Sequence, residues 1–166
     1  MRCFLLLFGI LLVSCTGKSN DVKAKVLKVS VNKIDVKKTA LDLFNKEVPM
    51  LKSGEMKGEI FDPEILIGDI NNDGLKDAVV WYSLVPGAEG GNYHMKEGIC
   101  AYVNTGSSVK KVAEYTVDDF FTMEAIKNGK IKIIRYQYAE QDYPKFPSIE
   151  ITKYLILRDN KLEELK

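Results

Sequence analysis

The chain has 166 residues, of which 24 are lysine or arginine and 23 are aspartate or glutamate, so its formal net charge is only +1. A near-neutral chain lacks the basic excess that nucleic-acid binding requires, and we therefore expect no nucleic-acid partner. Without a short leader, about 150 residues are left, which is enough for one domain with its own hydrophobic core.

The first residues have the features of an export signal. Arg2 supplies a positive charge, and an apolar run extends from Phe4 to Val13. That run is about half of the roughly twenty residues that a membrane-spanning helix needs. The sequence Leu-Val-Ser-Cys that ends at Cys15 resembles a bacterial lipobox. The resemblance implies a signal peptide at residues 1–14, cleavage before Cys15 and lipidation of that cysteine; the alternative is an ordinary secretory signal.

Residues 15–38 predict a flexible tether between the lipid and the folded domain. Seven lysines and only two aspartates occur in this segment. A positive tether suits an anionic membrane surface. We therefore expect a cell-envelope protein that is bound to the membrane through its N-terminal lipid, at the outer membrane or the periplasmic face.

Residues 39–51 predict a helix. Leu41, Phe44 and Val48 recur at spacings of three and four, which places them on one face. Thr39 is the predicted N-cap, and Pro49 is predicted to end or kink the helix. Because so short a helix is marginal alone, its apolar face is expected to pack on a sheet.

The central feature is an acidic loop at residues 69–77 between two apolar, strand-like runs. Its pattern is D-x-N-x-D-G-x-x-D, with Gly74 where the chain must turn sharply. Side chains at alternate positions of such a loop can converge on one hard cation, and Ca²⁺ takes six to eight oxygen ligands. The predicted ligands, with Leu75 contributing its main-chain carbonyl, are Asp69, Asn71, Asp73, Leu75 and Asp77.

This loop differs from an EF-hand, because Val80 replaces the bidentate glutamate at position 12 and both flanks are strand-like. It resembles the calcium loop of FG-GAP and VCBS repeats, in which the same nine-residue pattern joins two strands. Those families repeat the unit around a propeller, whereas this chain carries one copy. The resemblance implies the loop and its ion, and not a propeller. The alternative is a cluster of Asx turns that needs no metal.

A wider resemblance covers about the last hundred residues. Small bacterial exported proteins of unknown role carry one such loop, a Gly-rich segment, an NGKI hairpin and a late Asp-Pro-Ser stretch. The similar segments here are residues 86–93, 128–131 and 141–148. The resemblance implies a shared architecture and no particular activity.

After the loop the chain alternates strand-like runs with turn signals. Asn128-Gly129 favours a type I′ hairpin, and Asp159-Asn160 marks another turn. Consecutive strands with short turns pair antiparallel, because parallel strands need long crossovers. We therefore predict an α+β fold at residues 39–166: a single domain with one N-terminal helix packed on a curled, mainly antiparallel sheet formed as a meander of hairpins.

Motifs for catalysis are sparse. His94 is the only histidine, which excludes a histidine-based metal cluster, and neither a G-x-S-x-G elbow nor a P-loop occurs. Cys100 lies in an apolar run and is expected to be a small buried hydrophobe, while Asp118 and Asp119 are expected in a turn. We therefore expect the protein not to be an enzyme.

Aromatic residues suggest a different role. Tyr93 follows the Gly-rich segment, and Tyr136 and Tyr138 occupy alternate positions of one run, so they are candidates for a surface that binds a protein, peptide or glycan. Ordinary packing is the alternative. The sequence thus favours a binding or structural module, stabilised by calcium. A protein inhibitor of the immunity type, or an envelope hydrolase, is the alternative function.

Overall fold

The computed structural model describes residues 34–53, 58–60, 63–86, 96–142 and 147–166. These residues belong to one compact unit, Lys33–Lys166. The export signal, Cys15, most of the tether, Tyr93 and His94 lie outside the described residues, so the statements about them stay predictions. Within the described ranges, no helix is long and apolar enough to cross a membrane.

Helix α1 (Val36–Ser53) begins at a different cap from the predicted one. Asp35 is the N-cap, because its Oδ1 accepts a hydrogen bond of 3.0 Å from the Lys38 N–H. The prediction that Thr39 caps the helix is wrong. Thr39 lies one turn inside, where its hydroxyl donates a hydrogen bond of 2.8 Å to the Asp35 carbonyl.

Pro49 does not end α1, which continues to Ser53. A proline inside a helix removes one main-chain hydrogen bond, which opposes continuation. Val48 and Leu51, on either side of the proline, pack against the hydrophobic core beneath the helix. Burial of these side chains therefore keeps the last turn of α1 helical despite the proline.

The first sheet contains five antiparallel strands, and its long central pair is formed by β3 and β4. Strand β5 pairs with the outer side of β4, while β2 and β1 pair with successive parts of β3. The strands are β1 (Gly58–Ile60), β2 (Glu64–Gly68), β3 (Asp77–Pro86), β4 (Lys96–Asn104) and β5 (Val109–Val117).

The second sheet is a four-stranded antiparallel meander in chain order. Asn128 and Gly129 have φ values of 52° and 69°, and Asp159 and Asn160 have values of 48° and 57°. Two successive positive φ values in a two-residue loop indicate a type I′ turn, so both predicted turns are confirmed. The strands are β6 (Phe120–Lys127), β7 (Lys130–Gln137), β8 (Ile149–Arg158) and β9 (Lys161–Glu164).

Two hydrophobic cores lie on opposite faces of the first sheet. The helix-side core, between this sheet and α1, contains Ala40, Phe44, Ala78, Val80, Tyr82, Leu84, Cys100, Tyr102 and Val109. The inter-sheet core contains Ile70, Val79, Ile99, Ala101, Ala113, Phe121, Met123, Ile131, Ile133, Leu155 and Leu162. Cys100 is fully buried, as predicted, and burial raises the pKa of its thiol to about 12.

The α+β prediction is confirmed: one helix packs on antiparallel sheets. The central strands β3 and β4 are largely buried on both faces, with apolar side chains at most positions. A strand that is apolar on both faces needs a cover on each side. Helix α1 covers one face of the first sheet and the second sheet covers the other.

Candidate metal centre

The loop at residues 69–77 joins β2 to β3, as the sequence predicts. Asn72 and Gly74 have positive φ values of 61° and 85°. Residues other than glycine and asparagine rarely adopt this conformation. The loop therefore has its sharp turn at the glycine where the calcium-type pattern requires one.

Side chains inside the loop bond to the loop's own backbone. Asp69 Oδ2 accepts from the Gly74 N–H at 2.9 Å, Asn71 Oδ1 from the Asp73 N–H at 3.1 Å, and Asp73 Oδ1 from the Leu75 N–H at 2.8 Å. The Asn71 amide also donates to Asp73 Oδ2 at 2.8 Å. Through these bonds the side chains of Asp69, Asn71 and Asp73 fold back onto the loop's own backbone.

Asp77 fastens the loop to the first sheet. Its side chain is fully buried; Oδ2 accepts from the Ile70 N–H at 3.0 Å and Oδ1 from the Asn104 N–H at 2.9 Å. Burial raises the pKa of Asp77, the two backbone hydrogen bonds oppose that rise, and the neighbouring Asp73 and Asp69 carboxylates add to it. Three carboxyl groups therefore lie close enough to interact.

The loop also contacts two other turns. At the end of β4, where the β4–β5 turn begins, the Asn104 amide donates to the Lys76 carbonyl at 3.2 Å. In the β6–β7 turn of the second sheet, Gly129 packs against Asn72 so closely that an added Cβ would lie 2.3 Å from Asn72 Nδ2. Because Ile70 is buried in the inter-sheet core, the loop touches both sheets and joins them at one end.

The residues fit a cation in one respect. Asp69 Oδ1 is buried and has no hydrogen-bond partner. A buried oxygen of this kind is either a metal ligand or an unsatisfied acceptor. Among the described residues, no group of three or more His, Cys, Asp or Glu side chains is arranged to hold a metal ion. Both Asp77 oxygens already accept main-chain N–H groups. Calcium binding therefore stays a prediction.

The candidate aromatic residues occupy different environments. Tyr136 on β7 is half-buried, with its hydroxyl 3.4 Å from Thr122 Oγ1, whereas Tyr138 lies beyond the end of β7 and is 46% exposed. Tyr154 on β8 is 41% exposed on the same face of the second sheet as Tyr136. That face points away from the inter-sheet core.

Two polar positions were not identified from the sequence. Asn104 supplies the second main-chain N–H to Asp77, and Glu97 is a carboxyl group that is only 2% exposed. The only sequence feature that could have indicated a buried Glu97 is its position directly before the apolar run of β4. Asp118 and Asp119 lie in the bend between β5 and β6, as predicted, and Asp119 pairs with Arg135 at 2.9 Å.

Comparison with protein-family models, with curated proteins and with solved structures gives no significant match for this chain. The resemblance to FG-GAP and VCBS loops therefore depends on the loop residues alone.

Proposed function

We propose that this chain is a lipid-anchored cell-envelope module whose 69–77 loop binds one Ca²⁺, and that the ion strengthens the connection between the two sheets. The observation that carries the calcium proposal is Asp69 Oδ1, a buried carboxylate oxygen without a hydrogen-bond partner. Leaving a buried acceptor unpaired costs about 1–3 kcal/mol, and more when the group is charged. A bound cation removes that cost.

The proposed ligands are the side-chain oxygens of Asp69, Asn71, Asp73 and Asp77 and the Leu75 carbonyl. An ionised carboxylate has about four lone-pair sites, so Asp77 can keep both main-chain hydrogen bonds while it also faces a cation. Water would complete the coordination shell of so hard a cation. The ion would supply positive charge among three carboxyl groups that otherwise repel one another.

Calcium would act here as a structural ion. The loop contacts the ends of two hairpins, one in each sheet, and places Ile70 in the core between them. An ion that stiffens the loop therefore stabilises one whole end of the molecule. Extracellular calcium sites commonly have dissociation constants of about 10⁻⁴–10⁻³ M, so the site would stay filled in a calcium-rich compartment.

The anchoring part of the proposal depends on Cys15 and the segment around it. Mass spectrometry of the protein recovered from a bacterial membrane would detect a diacylated or triacylated N-terminal cysteine. A Cys15→Ser variant would keep its fold and leave the membrane fraction. An intact signal peptide on the mature protein, or an unmodified Cys15, would contradict the proposal.

The binding part of the proposal concerns the exposed tyrosines. Tyr138 and Tyr154 are 46% and 41% exposed, and tyrosine contributes a large contact area at a low entropy cost. We propose a protein, peptide or glycan partner and no catalytic step; a protein-inhibitor role would use the same surface. Peptide and glycan arrays probed with the wild type and a Tyr154→Ala variant test this proposal. Equal binding by both proteins would exclude Tyr154 from the binding surface.

The calcium proposal is tested by thermal unfolding of the full chain with calcium against chelator. A free calcium concentration 100 times the dissociation constant stabilises the folded state by about 2.7 kcal/mol. For a chain of this size the melting temperature then rises by about 5–10 °C. Magnesium at the same concentration should have a smaller effect, because it demands octahedral geometry and loses its water reluctantly.

Asp69→Asn is the matched variant for this test. Asparagine keeps an acceptor for the Gly74 N–H and removes the charge at the unpaired oxygen. We expect an unchanged melting temperature in chelator and the loss of the calcium response. A calcium response that survives in Asp69→Asn, or the absence of a response in the wild type at millimolar calcium, would reduce the loop to a cluster of Asx turns.

A further inference from the structure

Glu97 is a carboxyl group buried between the two sheets, at the end of the molecule opposite the 69–77 loop. It lies near the start of β4, on the same face as Ile99 of the inter-sheet core, and is only 2% exposed. Cross-strand pairing places Ser83 of β3 on one side and Val117 of β5 on the other. A carboxylate at such a position has lost nearly all of its hydration.

The contacts of Glu97 do not replace that hydration. The Ser83 hydroxyl is hydrogen-bonded to Glu97, but Glu97 Oε2 is buried without a partner. The Trp81 indole N–H lies close enough to favour the charged form, yet it makes no hydrogen bond of normal geometry. One hydroxyl and one nearby N–H replace little of the lost hydration, and a buried carboxylate without full hydrogen bonding strongly disfavours the charged form.

The polar and charged groups on the strands around Glu97 are bonded to residues other than Glu97. Tyr115 of β5 bonds to Glu164, and Arg135 of the second sheet bonds to Glu164 and Asp119. The side chain opposite Trp81 is Phe121, whose ring meets the indole edge-on at a centroid distance of 6.5 Å. Among the described residues, none of these charged groups shifts the protonation equilibrium of Glu97. Burial is therefore the largest influence, and it raises the pKa of Glu97 to about 7.

We propose that Glu97 is a proton-operated switch in the inter-sheet core. The uncharged acid stays packed beside Ser83 and Trp81. Loss of its proton draws the carboxylate towards water and loosens the β3–β4 end of the first sheet from the second sheet. The switch is independent of the calcium loop and of the lipid anchor.

The direction of the pH dependence follows from the two ionisation states. The pKa of Glu97 is about 7 in the folded protein and 4.5 for an unperturbed side chain. Stability from the packed acid is therefore fully present below pH 4.5 and is lost as the pH rises through 7. Between these limits the unfolding equilibrium constant should increase about a hundredfold from this group alone.

Trp81 is the only tryptophan of the chain, so its fluorescence reports on this end of the inter-sheet core. We expect the emission of the full chain to change with a midpoint near pH 7 in a titration from pH 5 to 9. Glu97→Gln should abolish the transition. Histidine side chains ordinarily ionise in this pH range, so His94→Asn, which removes the only histidine, is the control and should retain the transition.

A flat emission profile in the wild type, or a transition that survives in Glu97→Gln, would overturn the proposal. Loss of the transition in His94→Asn would assign it to the histidine and would also overturn it. A ¹³C NMR titration of the glutamate carboxyl groups in the unaltered chain decides the question even if the glutamine variant does not fold. One glutamate should titrate near pH 7, and its absence excludes the switch.

Discussion

The ring of Tyr82 lies against the backbone of Gly98, its partner across β3 and β4. A Cβ built on Gly98 would lie 2.2 Å from Tyr82 Cζ, well inside van der Waals contact. The same ring contacts Phe44 of α1 with a centroid distance of 5.5 Å, and its hydroxyl donates to Glu114 at 2.8 Å. The absence of a side chain at Gly98 thus makes room for the Tyr82 ring, against which α1 packs on the first sheet.

Gly98→Ala should therefore destabilise the protein. The new methyl group can be accommodated only if the Tyr82 ring moves, which costs about 1–3 kcal/mol in a packed core. Urea denaturation of the wild type and the variant measures the loss. Combining it with Tyr82→Leu should cost less than the sum of the two single changes, because the smaller side chain leaves room. Strict additivity would contradict the proposed contact.

Asp77→Asn should lower the melting temperature with or without calcium. Both Asp77 oxygens accept main-chain N–H groups, whereas an asparagine offers one acceptor and presents a donor to the other amide. One buried N–H is then unpaired, which costs about 1–3 kcal/mol. Asp69→Asn is the control variant, because its amide nitrogen replaces Oδ1, an oxygen that accepts no hydrogen bond. Equal melting temperatures for the two variants in chelator would refute this distinction.

The local conformation of the 69–77 loop could be predicted from sequence, because glycine and Asx residues act on their own backbone. The Gly74 turn and the position between two strands are both observed. Its attachment could not be predicted: Asn104 is 27 residues from Asp77, and no local pattern encodes that contact. Local propensities predict turns, whereas distant partners depend on the completed fold.

A similar limit explains the helix start and the two sheets. Thr39 and Asp35 are both good capping residues. The cap is Asp35, and Val36, which this cap places inside the helix, packs against the helix-side core. Short turns correctly predicted antiparallel strands, but not that β5 and β6 would belong to different sheets. Glu97 was missed because acidic residues are rarely buried, so sequence alone argues against placing one in a core.

Lys111→Met should loosen α1 from the first sheet. Lys111 of β5 binds Glu47 of the helix and also Glu114, 3.0 Å away, with its own side chain only 25% exposed. Removing the ammonium leaves two carboxylates facing each other, and we expect a loss of about 1–3 kcal/mol in the free energy of unfolding.

Lys132→Met is the matched control for this change. Lys132 pairs with Glu124 at the surface of the second sheet, where the two side chains are 35% and 45% exposed. Exposed pairs contribute about 0–1 kcal/mol, so this variant should unfold almost as the wild type does. Similar losses in both lysine variants, measured by urea denaturation, would show that Lys111 does not hold the helix.

Glu164→Gln should weaken the protein at neutral pH and have a smaller effect in acid. A hydrogen bond from Tyr115 lowers the pKa of Glu164, and Arg135 at 2.8 Å and Lys153 lower it further. A depressed carboxyl pKa contributes stability above its unfolded value of 4.5, and that contribution is lost as the pH falls through the folded value. The carboxylate is partly exposed, so we expect a loss of about 1 kcal/mol at pH 7.

Urea denaturation should therefore show a smaller difference between Glu164→Gln and the wild type at pH 3 than at pH 7. Glu163→Gln is the control, because Glu163 is exposed and its nearest cation, Arg158, is 3.7 Å away. A constant difference between Glu164→Gln and the wild type at both pH values would assign the effect to packing. From these two groups together, the free energy of unfolding should be greatest near pH 4.5, because the Glu97 contribution is lost as the pH rises from there through 7 and the Glu164 contribution is lost as the pH falls.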